Sequence, residues 1–176
     1  MTGKDREIGR VLILHDLEPG QAQKHLPAPS EMVTLFPALP MVRHCLGCFG
    51  CWVRTPGRCV LGDRASAFSS LMPAHDRLSI VSRLVFGGLS APVKAVLDRS
   101  IGFILPFFED RGGEMRHRRR YPRSPDLAYL YYGQDLDEAQ MVTARELARH
   151  NQRNFMAPNA SVRFFDSLDR LGEALA

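Results

Sequence analysis

Leu78-Ser79-Ile80-Val81-Ser82 reads as a short, largely apolar strand, and the residues after it decide the fold. Gly87-Gly88 marks a loop, and Ser90-Ala91-Pro92 then opens a helix, with Ser90 as cap and Pro92 in the first turn. The pattern predicts helix from Ser90 to about Phe108. Strand, tight loop and helix in that order make half of a β-α-β unit, and the rhythm repeats in both directions. Upstream, Val11-Leu12-Ile13-Leu14 is a continuous apolar run suited to a buried central strand, Met32–Phe36 is a second strand, and Arg64 to Met72 predicts helix. Downstream, Leu127–Tyr132 is an aromatic-rich strand stopped by Gly133. Asp135-Leu136-Asp137-Glu138 resembles a capping box, and the helix it opens carries Met141, Ala144, Leu147 and Ala148 on one side. Ser161–Phe165 is a fifth strand and Asp166–Leu175 a closing helix. The expectation is an α/β three-layer sandwich: a five-stranded parallel sheet in the order 2-1-3-4-5, covered on both faces, with a shortened first helix. Residues 109–126 read as a long irregular insertion, rich in basic side chains.

Composition sets the bounds. The chain has 176 residues, enough for one domain spanning 1–176 with a substantial core, and 45% of them are hydrophobic. The charged opening MTGKDREIGR and the shortness of the first apolar run predict neither a signal peptide nor a membrane span, hence a cytoplasmic protein. The net charge is +4, and much of it lies in His117-Arg118-Arg119-Arg120-Tyr121-Pro122-Arg123. That block reads as a solvated insertion, with phosphate recognition and nucleic-acid binding as sharper alternatives. Nucleic acid would ask for a broader basic face with aromatic platforms. No Walker loop, HExxH stretch or Ser-His-Asp order supports hydrolysis.

All four cysteines sit in one window, Cys45, Cys48, Cys51 and Cys59, spaced C-x2-C-x2-C-x7-C within residues 44–63. Two-residue gaps gather thiolates on one tight loop, and the Thr55-Pro56-Gly57 turn brings Cys59 back to them. In a reducing compartment such a cluster points to metal or redox chemistry rather than disulfides. Three cysteines in seven residues plus a fourth nearby suit a [4Fe–4S] cluster; structural zinc and unmetallated thiols are the other readings.

The cysteine block Cys45-Leu46-Gly47-Cys48-Phe49-Gly50-Cys51-Trp52 through Cys59 and Asp63 resembles the flavodoxin-like NAD(P)H-dependent FMN oxidoreductases and iron–sulfur flavoproteins. So does Phe86-Gly87-Gly88-Leu89-Ser90-Ala91-Pro92-Val93-Lys94, running into Leu97-Asp98-Arg99. The similarity extends through Leu105-Pro106-Phe107-Phe108, Gly113-Glu114-Met115 and Tyr132-Gly133. It implies a flavodoxin-like fold, an FMN-dependent oxidoreductase or electron carrier with NAD(P)H as donor, a small-molecule or protein redox partner, and a homodimer or homotetramer. By position, the FMN contacts it implies are Ser82, Arg83, Leu84, Val85, Phe86 and Gly87 after the third strand, with Tyr132 and Gly133 after the fourth. The cysteines would be the metal ligands.

The chain departs from that pattern at the first strand. A Ser/Thr/Gly-rich phosphate loop is replaced by His15-Asp16-Leu17-Glu18-Pro19-Gly20, which sets carboxylates where a dianion is expected. Lys24, His25 or the 117–123 block are the cations available to offset them. The usual Ser-Pro-x-Tyr reads Ser82-Arg83-Leu84-Val85, without its flavin-facing aromatic. A flavin-free binding or scaffold member of the same fold is therefore the second reading.

Overall fold

The computed structural model describes residues 9–175; the charged stretch 1–8 read above lies outside them. Five strands form the expected parallel sheet: β1 (Val11–His15), β2 (Val33–Pro37), β3 (Arg77–Val85), β7 (Asp126–Tyr132) and β8 (Ala160–Phe165). Their order across the sheet is β2-β1-β3-β7-β8, which in parallel strands alone is 2-1-3-4-5. All five residues of β1 are buried, as an unbroken aliphatic run between two neighbours requires.

Alternation along the strands sorts the side chains into two cores. Leu12, Leu14, Leu78, Ile80, Leu127, Tyr129 and Tyr131 face one side, meeting Phe68, Met72, Val93, Val96, Ala144 and Ala148. Val11, Ile13, Val81, Leu130 and Phe165 face the other, against Leu17, Leu26 and Leu171. The first core is covered by α3 (Phe68–Leu71), α4 (Ala91–Asp98) and α5 (Glu138–Asn154); α1 (Pro19–His25) and α6 (Gly172–Leu175) accompany the second. Tyr129 and Tyr131 share a face as read, with ring centroids 6.1 Å apart. No helix among the described residues is long and apolar enough to cross a membrane.

Three local expectations are corrected. The helix opened at Ser90 stops at Asp98 rather than running to Phe108; a 3₁₀ turn over 101–103 leads into β5 (Ile104–Arg111). The basic insertion is not irregular: β5 pairs antiparallel with β6 (Glu114–Arg119) across a turn in which Gly112 and Gly113 have φ of 64° and 85°. The cap of α5 is Asp137, whose carboxylate accepts from the Gln140 N–H at 3.2 Å, and not Asp135. The segment 64–74 is a mixture of 3₁₀ and α turns, with its first turn capped by Asp63. A further short helix, α2 (Gly50–Val53), lies inside the cysteine loop.

The basic side chains of this hairpin find partners within the chain. Arg118 lies 3.8 Å from Glu109, Arg123 pairs with Asp76 at 3.1 Å, and Arg119 and Arg120 donate to the carbonyls of Met156 and Gly102.

Candidate functional site

The carboxyl ends of β1, β3 and β7 meet at the point where the strand order reverses, the place where ligands enter open α/β sheets. After β1 the chain turns through Asp16, which is buried. Its carboxylate accepts from the backbone N–H of Arg83 at 3.0 Å and from the Tyr132 hydroxyl at 3.1 Å. Burial and this adjacent carboxylate push the Tyr132 phenol well above its ordinary range, so it remains a donor. His15 is also buried, its Nδ1 has no hydrogen-bond partner among the described residues, and burial lowers its pKa.

The segment 82–87 is not an open loop. β3 continues through Val85, reverses at Phe86-Gly87, and pairs antiparallel with β4 (Gly88–Leu89). Ser82 is buried; its hydroxyl donates to the Arg83 carbonyl and accepts from the Ser90 N–H, both at 2.9 Å. That contact holds the start of α4, whereas the Ser90 hydroxyl makes no capping bond and is buried without a partner. Leu84 pairs with Leu89 and packs on the core, Val85 pairs with Gly88, and Phe86 stands 94% exposed at the tip. The N–H groups of Gly87 and Gly133 donate to Gln140 Oε1 at 3.2 Å and to the Phe165 carbonyl at 3.1 Å. The expected contact residues are thus gathered at one end of the sheet, but the Arg83, Gly87 and Gly133 amides already donate within the chain.

Gly87 is required where it stands. Its φ is 75°, and a Cβ there would lie 2.8 Å from Thr143 Cβ on α5. Gly87→Ala should therefore cost roughly 1–3 kcal/mol through strain and displacement of the hairpin from α5. Urea unfolding measures it; an unchanged midpoint would show that the hairpin is not seated on α5.

The start of α1 does not fit the phosphate of FMN. The helix has seven residues, Pro19 removes an N–H from its first turn, and Glu18 stands at its N-cap, its own N–H donating to Gln21 Oε1 at 3.2 Å. The nearby cations are engaged elsewhere: Lys24 Nζ is 3.1 Å and His25 Nδ1 3.8 Å from Asp169.

The cysteine loop forms the second part of the site. All four cysteines line one hollow of about 60 Å³ together with Phe49, Val60, Leu61, Arg99 and Ile101. Cys51 is buried; Cys45 and Cys48 are exposed and Cys59 is half-buried. Burial pushes the Cys51 thiol up, and the sulfurs of Cys59, Cys45 and Cys48 add to the effect. Among the described residues no three His, Cys, Asp or Glu side chains converge as a site for one metal ion. A single zinc would need every sulfur within about 2.3 Å of it. Trp52 braces the loop: its indole N–H reaches the carbonyls of Ile104 at 2.9 Å and Ile101 at 3.2 Å, and its ring stacks on Phe49.

Sequence reasoning named Arg99 only at the end of the resembling segment and gave it no role. Its side chain is wholly buried, and its guanidinium donates to Cys59 Sγ at 3.3 Å, Asp63 Oδ2 at 2.6 Å, the Leu61 carbonyl at 2.9 Å and the Arg43 carbonyl at 3.3 Å. One side chain ties the end of α4 to the closing cysteine. The cysteine loop and the hairpin share a space: a cleft of about 990 Å³ is lined by Cys45 and Gly47 and by Val85, Gly88 and Leu89 of the β3–β4 hairpin.

No family model matches this sequence, and no curated protein does. Solved structures do. The azoreductase AzrA superposes with a TM-score of 0.57 at 8% identity over 95% of this chain and 91% of its own. An NAD(P)H:quinone oxidoreductase from Methanothermobacter marburgensis gives 0.57 at 12% identity over 94% of each chain. An FMN-dependent NADH-azoreductase from Bacillus anthracis, solved in complex with FMN, gives 0.52 at 11% over 96% of this chain and 90% of its own. At such identities the likeness establishes architecture: this chain has the flavodoxin-like α/β fold.

Proposed function

We propose that this chain is a flavodoxin-fold oxidoreductase or electron carrier, passing electrons from a reduced nicotinamide nucleotide to a small-molecule or protein acceptor. A flavin packed against the β3–β4 hairpin and a [4Fe–4S] cluster held by Cys45, Cys48, Cys51 and Cys59 are its redox groups. When bound, such a cluster supplies one-electron transfer, and the chain's contribution is to fix its distance from the flavin site. The observation that carries this reading is shared exposure: Cys45 lines both the cysteine hollow and the large cleft that reaches the hairpin. The similar solved structures support the class of reaction, since they are azoreductases and a quinone oxidoreductase. Four unpaired, clustered thiols suit the reducing cytoplasm. Exposed Phe107, Phe108 and Met115 on the β5–β6 hairpin offer an apolar surface to a second copy of the chain.

Anaerobic purification followed by iron, sulfide and flavin analysis and by NAD(P)H oxidation assays tests the proposal. The expected product carries iron and flavin and oxidises the nucleotide in the presence of a quinone or azo dye. A colourless, iron-free and flavin-free protein that leaves NAD(P)H untouched would sink it. The second reading, a flavin-free binding member, is favoured by Asp16, which already occupies the Arg83 N–H and the Tyr132 hydroxyl. Iron without flavin, and no saturable flavin binding, is its signature.

A further inference from the structure

We infer that the crevice at the ends of β1, β3 and β7 selects against a ligand's terminal phosphate, taking riboflavin, with its uncharged chain, in preference to FMN. The inference rests on reading that crevice as a flavin site and concerns the group that the site rejects.

Three features of the strand-1 turn combine. Asp16 sits with its carboxylate fixed between Arg83 N–H and Tyr132 O–H, so its charge is anchored in the crevice and cannot swing out without breaking both bonds. Glu18 adds a second carboxylate at the N-cap of α1, which, with seven residues and Pro19 in its first turn, is a poor anion-binding terminus. The charge of the exposed Arg83 side chain is felt at the Tyr132 hydroxyl, as are those of Asp16 and Glu18. These three groups sum to one negative charge beside the phenol. A 5′-phosphate carries about two negative charges at neutral pH, so it meets net repulsion here, with the Arg83 guanidinium set against two carboxylates.

The other cations do not reverse the sign. Lys24 and His25 face Asp169, Arg118 faces Glu109, and Arg123 faces Asp76. A neutral ribityl chain meets no such repulsion, and its hydroxyls can donate to the same carboxylates. The buried Nδ1 of His15 adds a polar atom at this end of the sheet that has no hydrogen-bond partner among the described residues. The crevice is therefore built for hydroxyl and ring recognition rather than for a dianion.

Flavin fluorescence titrations of the purified full chain test this, using riboflavin and FMN with wild type, Asp16→Asn, Glu18→Gln and the double variant. Asn at 16 keeps one acceptor oxygen for Arg83 N–H and turns its amide N–H to the Tyr132 oxygen, which can accept, while removing the charge, and Glu18 is exposed, so both variants should fold; circular dichroism checks it. In low salt, wild type should bind riboflavin about tenfold more tightly than FMN, and raising salt to about 0.3 M should narrow the gap. The double variant should bring the two ligands to within about twofold of each other through a gain in FMN affinity alone. Wild-type binding of FMN as tight as that of riboflavin, or a ratio unmoved by the double variant, overturns the inference and leaves the flavin reading standing. Failure of every variant to bind either flavin overturns both.

Discussion

Asp63→Ala is expected to lower the unfolding free energy by about 3–5 kcal/mol, far more than an ordinary surface ion pair contributes. The reason is the asymmetry of the pair. The Arg99 side chain is 0% exposed and that of Asp63 27%, so removing the carboxylate strands a buried cation, whereas removing the cation leaves a carboxylate that water reaches. Arg99→Met should accordingly cost less than Asp63→Ala, because Met fills much of the same volume without a charge. The pair also has a pH signature. The Arg99 hydrogen bond holds the Asp63 carboxyl below its usual range, so its contribution is present above the ordinary carboxylate pKa of about 3.9 and disappears as pH falls through the lower folded value. The gap in stability between wild type and Asp63→Ala should stay constant from about pH 5 to 7 and shrink only below about pH 4. Urea unfolding across that range measures it. A gap under about 1 kcal/mol at pH 7 would mean that Arg99 is solvated without its partner.

The sheet was legible because its strands are continuous apolar runs punctuated by glycine and proline, and a buried parallel strand needs little else. Val11–His15 and Asp126–Tyr132 lie almost where the hydrophobic pattern put them. The misreading at 90–108 has a physical cause. Ile104-Leu105-Pro106-Phe107-Phe108 is equally apolar as helix or strand, and what settles it is pairing with residues 114–119. Two local signals pointed there: Pro106, which removes a helix-interior N–H, and Gly112-Gly113, a two-residue hairpin turn.

The site was legible only in part. The cysteine spacing marks one loop, and in the structure all four cysteines line one hollow there. The Asp16 contacts join residues separated by 67 and 116 positions, and Arg99 lies 40 residues from Cys59. Neither arrangement leaves a mark in a local window, since both are fixed by strand order and by where α4 ends. An acidic strand-1 turn could be noticed as a departure; that its carboxylate occupies a candidate ligand amide could not.

On the cluster reading proposed above, Cys59→Ser should abolish stable iron incorporation, the largest functional effect expected of any single substitution in the loop. Three considerations support so complete a loss. A cubane takes one thiolate per iron corner, so the chain's four cysteines leave no spare. Cys59 is the sulfur oriented by Arg99, and such outer contacts alone typically change metal affinity about 10–100-fold. It also anchors the far end of the loop, where its N–H donates to the Ser66 carbonyl at 2.9 Å and its carbonyl accepts from the Ser66 hydroxyl at 2.9 Å. Those backbone contacts do not involve the sulfur, so the serine variant keeps the loop closed and its loss of iron reports ligation rather than unfolding. After anaerobic reconstitution with iron and sulfide, Cys59→Ser should retain less than roughly a tenth of the wild-type iron while its thermal unfolding without iron stays within a few degrees of wild type. Cys51→Ser should behave alike, with a further loss of stability from setting a hydroxyl in a buried apolar position. Full iron retention by Cys59→Ser, with wild-type visible absorption, would remove that sulfur from the ligand set and return the loop to a structural thiol cluster.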